Sequence, residues 1–187
     1  MKLAGFDPRP DRYRAHPELL TLTRVFGVGE TQTHGVVTFS LNSIELFDDG
    51  WRARVRIRIE AAHPIVAAEH EETRATGRRL RALGRPMTTE DMPPPVERPF
   101  PRTAAEAHDD LGTSYWTHGP SGGTSGSPGQ ASIGDLDFTF GPAVPSDARR
   151  LVFTIVRVPW VKSSQLHDPS VEPIHIDDGP WAWTVML

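Results

Sequence analysis

Residues 51–60, WRARVRIRIE, constrain the fold more than any other stretch of the chain. Trp51, Ala53, Val55, Ile57 and Ile59 alternate with Arg52, Arg54, Arg56 and Arg58. A period of two belongs to a β-strand, whose successive side chains point to opposite faces; this strand hides an aliphatic side and turns four guanidiniums outward. The preceding run, residues 35–47, is also strand-like, and Asp48-Asp49-Gly50 separates the two. Asp49-Gly50 suits a two-residue hairpin turn, because both residue types tolerate positive φ. A turn there pairs Leu46 with Ala53, Glu45 with Arg54 and Ile44 with Val55. Val37, Phe39 and Leu41 join the same buried face only if an extra residue sits near Asn42-Ser43. A β-bulge is therefore expected at that point, with Leu41 opposite Ile57 and Phe39 opposite Ile59.

The rest of the chain extends this pattern. Residues 1–17 read as an irregular arm, and Leu19 begins a first strand that Gly27 and Gly29 end. Residues 62–118 read as an insertion. Within it, 66–83 are charged and poor in β-branched residues and predict a short exposed helix, weakened by Gly77. Residues 84–102 form a Pro-rich connection of polyproline II character. A helical turn is expected from Ala105 to Leu111 and a strand over 113–118. Residues 119–130, GPSGGTSGSPGQ, read by composition as a flexible Gly/Ser loop. Strands return at 135–140 and 151–158, and Gly179-Pro180 breaks the chain before a last strand bearing Trp181, Trp183, Val185 and Leu187 on one face. With 16 Gly and 18 Pro in 187 residues, long helices are disfavoured and many short strands are not. Seven or eight strands at irregular spacing predict a mainly β chain, one two-sheet antiparallel sandwich spanning 1–187.

The net charge of -4 argues against a uniformly basic nucleic-acid binder. The chain has no cysteine, which rules out disulfides, cysteine-ligated metals and a cysteine nucleophile. No segment reaches signal-peptide or membrane-span length. A cytoplasmic protein is expected, without cofactor or membrane.

The order GDLDFTFGPAVPSDARRLVFTIVRV, then GPWAWTVML, is strand, proline-rich corner, long apolar strand, loop and closing strand. It resembles bacterial immunoglobulin-like β-sandwich modules of the kind appended to envelope and stress-response proteins, with the 35–60 hairpin in the place of the early strands. The resemblance covers mainly 131–187 and that hairpin. It implies a module that binds or spaces other components and does not catalyse.

Four groups of residues could carry function. Arg52, Arg54, Arg56 and Arg58 lie about 7 Å apart along one strand face and could meet an anionic partner; the plain alternative is a solvated face paired with Glu45 and Glu60. His108 with Asp110, His167, and His175 with Asp177 are candidate metal ligands, although none has a recognised spacing. Trp116, Trp160, Trp181 and Trp183 would suggest sugar binding if exposed, but large aromatics usually bury, and only Trp160, after Pro159 at a strand end, is expected partly exposed. The serines of the Gly-rich stretch lack the strand–turn–helix context of a nucleophile elbow. The leading expectation is a non-catalytic module that presents its insertion and Gly-rich loop to a protein partner or a second copy. A metal-binding protein or metal-dependent enzyme, and a carbohydrate-binding module, are the alternatives.

Overall fold

The computed structural model describes residues 16–91, 103–126, 130–160 and 171–187. Its strands are β1 (Leu22–His34), β2 (Val37–Phe47), β3 (Trp51–Ile59), β4 (Ala104–Asp109), β5 (Trp116–Ser125), β6 (Ser132–Gly141), β7 (Arg150–Trp160) and β8 (His175–Met186). A helix, α1 (Pro64–Ala82), follows β3, and a short 3₁₀ turn covers Thr89–Asp91. The chain is mainly β. One antiparallel sheet has the order β1-β2-β3-β6-β5 and the other β4-β7-β8.

The two sheets share one core. Val37, Phe39, Leu41 and Ile44 of β2 and the aliphatic side of β3 meet Leu151, Phe153 and Ile155 of β7 and Trp181 and Trp183 of β8. The alternation of β3 holds at every residue: Trp51, Ala53, Val55, Ile57 and Ile59 are buried, and the four arginines between them are not. Aromatic rings tie the layers together. Trp51 stacks on Phe140 at 4.2 Å, and Phe153 stacks on Trp183 at 5.6 Å. One seam between the sheets is closed by side-chain-to-backbone bonds. The Gln32 amide both donates to and accepts from the Ala182 backbone, and the Trp183 indole donates to the Glu30 carbonyl at 3.2 Å.

The expected bulge is present, with Asn42 the extra residue between the Leu41↔Val55 and Ser43↔Arg54 pairs. The hairpin turn lies one residue earlier than expected. Phe47 N–H donates to the Gly50 carbonyl at 2.9 Å, so Asp48 and Asp49 form the tip. Leu46 therefore faces Trp51, Glu45 faces Arg52 and Ile44 faces Ala53. Gly50 serves packing: a Cβ there would come within 2.6 Å of the Phe140 carbonyl oxygen and 2.7 Å of Pro17 Cβ. Asp49 meanwhile accepts from the Glu18 N–H at 2.6 Å and from Leu19 N–H, holding that segment against the hairpin. Gly50→Ala is expected to destabilise the fold by about 1–3 kcal/mol through overpacking, read as a lower urea midpoint with an unchanged slope.

Four segments differ from expectation. β1 continues past Gly27 and Gly29, which form a register shift between Gly27 and Glu30. Ala105 to Leu111 is not a helical turn: β4 pairs antiparallel with β7, and Ala105 and Ala107 pack against the core while Glu106 and His108 face out. The Gly/Ser stretch is not a loop over 119–125 but part of β5, paired with β6. A Cβ on Gly134 of β6 would overlap the Gly123 carbonyl oxygen, so glycine here permits close strand approach. Gly179-Pro180 does not end a strand; β8 runs through it, with a register shift opposite Ile155–Arg157. The 62–118 region supplies the edge strand of the second sheet besides the helix. Residues 92–102, most of the Pro-rich segment, lie outside the described residues.

Candidate functional site

Helix α1 begins at His63-Pro64. Proline suits the first helical position because its missing N–H would have no partner there, and the residue before it becomes the cap. His63 Nδ1 accepts from the Ile65 N–H at 3.2 Å, which places the ring proton on Nε2. That N–H points at Asp177 of β8, 2.9 Å from Oδ2. The Trp160 indole N–H from the end of β7 donates to the same oxygen at 2.6 Å. His175 Nε2 lies 3.3 Å from the other oxygen, Oδ1. His63 is fully buried and lies 4.5 Å from the Trp160 ring. One carboxylate thus gathers donors from the helix cap, β7 and β8. Burial opposes ionisation of Asp177, but the bonds from His63 and Trp160 and the nearby His175 outweigh it and hold the carboxyl below the usual carboxylate range.

His63, His175 and Asp177 bring their ligand atoms within 4.8 Å of one another, a spacing a metal ion could use. The hydrogen bonding favours another role. A cation on His63 Nε2 would need that nitrogen's lone pair and move the proton to Nδ1, against the Ile65 N–H. The cluster is built as a bolt between α1 and the second sheet.

Of the metal candidates read from the sequence, His175 and Asp177 come together, but His108 and Asp110 lie elsewhere. His108 sits opposite Val152, whereas His175 sits opposite Trp160, eight residues and about 26 Å further along β7. Asp110 is exposed and accepts from the Arg149 and Arg150 N–H groups at 3.0 and 3.2 Å. His167 lies outside the described residues. His63 was the missing member, and the His-Pro dipeptide opening a helical stretch is the signal that marks it. Asp109, beside these candidates, organises a turn: it accepts from Leu111 N–H, Thr113 N–H and the Tyr115 hydroxyl. Burial and the adjacent Asp109 push the Tyr115 hydroxyl well above its ordinary range.

The arginine row is neutralised by acids. Arg52 bonds Glu45 at 2.5 Å, Arg54 lies 3.4 Å from Asp137 and 3.5 Å from Glu45, Arg56 bonds Asp135 at 3.0 Å and Arg58 bonds Glu60 at 2.6 Å. Four cations and four carboxylates form a lattice, cross-strand for Arg52, Arg54 and Arg56 and along the same strand for Arg58, so their charges balance on this face. Trp160 is 2% exposed, contrary to the expectation from its strand-end position, because its indole is turned inward to Asp177. Trp51, Trp181 and Trp183 are buried as well, which leaves half-buried Trp116 as the one tryptophan with accessible surface.

Helix α1, held at its start by this bolt, turns a charged face outward. Ile65 and Val66 pack on the core and Leu80 is its one buried side chain. Ala68, Glu71, Glu72, Ala75, Arg78, Arg79 and Ala82 are exposed on the opposite side. Among the described residues no helix is long and apolar enough to cross a membrane.

No protein-family model matches this chain, and no curated protein does. Among solved structures it is similar to a conserved domain protein from Bacillus anthracis, at 13% identity and a TM-score of 0.45, over 88% of this chain and 48% of that one. The chain therefore spans about half the length of that protein. A likeness at this level does not establish a shared fold.

Proposed function

We propose that this chain is a non-catalytic protein-interaction module, an immunoglobulin-like sandwich that presents helix α1 to a protein partner. The observation that carries this reading is the attachment of α1. A 19-residue helix is capped and bolted at its first turn by His63, Asp177 and Trp160, yet buries one side chain, Leu80. A helix of such polarity adds little hydrophobic stabilisation to the fold. Its fixed position and open face suit recognition on a rigid scaffold. The neutral arginine lattice supports placing the contact on α1 and not on the face of β3 and β6. The cysteine-free composition is compatible with a cytoplasmic setting.

A photo-crosslinking residue at position 75, compared with one at position 56 on the lattice, tests this in the native host. Adducts of defined mass at position 75 that vanish in the Glu71→Arg/Glu72→Arg background, with none at position 56, are the expected result. Equal adducts from both faces, or none from position 75, would overturn the proposal. Untagged protein is expected to carry only substoichiometric metal. Stoichiometric metal lost on His63→Ala would replace the hydrogen-bond reading of the cluster with a metal centre.

A further inference from the structure

We infer that the partner of α1 is a second copy of the same chain, docked helix against helix in antiparallel orientation about a two-fold axis at Ala75. The inference rests on the reading of α1 as a contact surface and names the occupant.

Charge is segregated along the outward face. Glu71 and Glu72 lie in its N-terminal half, Arg78 and Arg79 lie in its C-terminal half, and exposed Arg74 lies at the rim of this face beside the midpoint. At 100° per residue, Ala68, Ala75 and Ala82 fall on one line, directly opposite the inward stripe that contains Leu80. Glu71 and Arg78 flank that line on one side; Glu72 and Arg79 flank it on the other. Glu71 and Arg78 already bond within the helix at 2.7 Å, with both side chains 61% exposed. An exposed pair of this kind is weak enough to exchange partners.

A two-fold axis through Ala75 turns each helix onto the other and keeps each flank on its own side. Glu71 then comes level with the partner's Arg78, and Glu72 with the partner's Arg79. Symmetry doubles these to four ion pairs. A parallel two-fold pairing would swap the flanks and set Glu71 against the partner's Glu72 and Arg78 against the partner's Arg79, and like charges would oppose it. The charge order therefore selects the antiparallel arrangement, which is also the isologous one that closes as a dimer. The three alanines let the axes approach to about 9–10 Å, within ordinary helix packing distances, with facing Cα atoms about 5 Å apart. The two sheet bodies stay on the outer sides, because each helix keeps its inward stripe on its own core.

The absence of cysteine from the chain makes a clean test possible. Single variants Ala68→Cys, Ala75→Cys and Ala82→Cys are oxidised at about 100 µM chain, a concentration suited to a small interface. Ala75→Cys is expected to give covalent dimers, since residue 75 meets its own copy on the axis within disulfide reach. Ala68→Cys alone and Ala82→Cys alone are expected to stay monomeric, with their own copies about 21 Å apart, whereas a mixture of the two cross-links. In the Ala75→Cys background, Glu71→Arg/Glu72→Arg is expected to cut dimer yield by about tenfold or more, through like-charge repulsion. Adding Arg78→Glu/Arg79→Glu to the same chain restores it, because every pair is then inverted. All of these side chains are exposed, and unchanged fluorescence of the buried tryptophans verifies that each variant folds. Monomeric Ala75→Cys, self-cross-linking of Ala68→Cys, or no recovery on charge inversion would each overturn the inference. Adducts of other mass at position 75 together with monomeric Ala75→Cys would sink self-association and leave the interaction-module reading standing.

Discussion

Trp51→Ala is expected to lower the unfolding free energy by about 3–5 kcal/mol, the range for deleting a large buried aromatic. Trp51 is 0% exposed and opens β3 directly after the hairpin turn. Its ring stacks on Phe140 at 4.2 Å with 9° between planes and meets Tyr115 edge-on at 5.6 Å and Phe153 edge-on at 6.4 Å. Those neighbours come from β6, the turn before β5, and β7, so one deletion opens a cavity shared by both sheets. Strands held by cross-strand pairing cannot close inward without losing register, and relaxation recovers little of the loss. Trp51→Phe is expected to cost much less. It keeps the stacking on Phe140, and it removes an indole N–H that has no partner among the described residues. Urea denaturation followed by far-ultraviolet circular dichroism measures both. A Trp51→Ala cost below about 1 kcal/mol would mean that the ring does not bridge the sheets.

The second large effect is expected from Asp177→Ala. It leaves the buried His63 Nε2–H and Trp160 Nε1–H without their acceptor, at about 1–3 kcal/mol for each orphaned donor. The combined loss is expected to reach about 2–6 kcal/mol. Hydrogen exchange should quicken first in the opening turn of α1, which this carboxylate ties to β8. The pH dependence follows from the sign of the shift. Asp177 is held below the usual carboxylate range, so its contribution is present above the unfolded value near about 4 and is lost as pH falls through the folded value. The stability gap between wild type and Asp177→Ala should therefore be constant from about pH 5 to 7 and narrow below about pH 4. A gap that stays unchanged down to about pH 2 would show that the ionised carboxylate is not what holds the bolt.

Which residues of the β2–β3 hairpin face the core is written in local sequence. Alternation from Trp51 to Ile59 and the parity slip at Asn42 are local properties, legible wherever a period of two meets one buried face. That same period cannot separate registers two residues apart. A turn at Asp49-Gly50 and the actual one at Asp48-Asp49 bury the same side chains, and the choice between them came from Pro17 and the Phe140 carbonyl crowding Gly50. The exposed helix over α1 was legible from its charged residues and low β-propensity. Strand β4 and the Gly-rich continuation of β5 beyond the strand expected over 113–118 were not, because Ala-rich and Gly-rich sequence has no strand preference of its own and became extended only by pairing with β7 and β6. The arginine row was visible, but its neutralisation required Asp135 and Asp137, which lie 79 and 83 residues from the arginines they bond. The bolt depended on tertiary structure most of all. His63 and Asp177 are 114 residues apart and have no shared pattern, and only the docking of the helix start against the β7–β8 end brought the cap, the indole and the carboxylate within one hydrogen-bonded cluster.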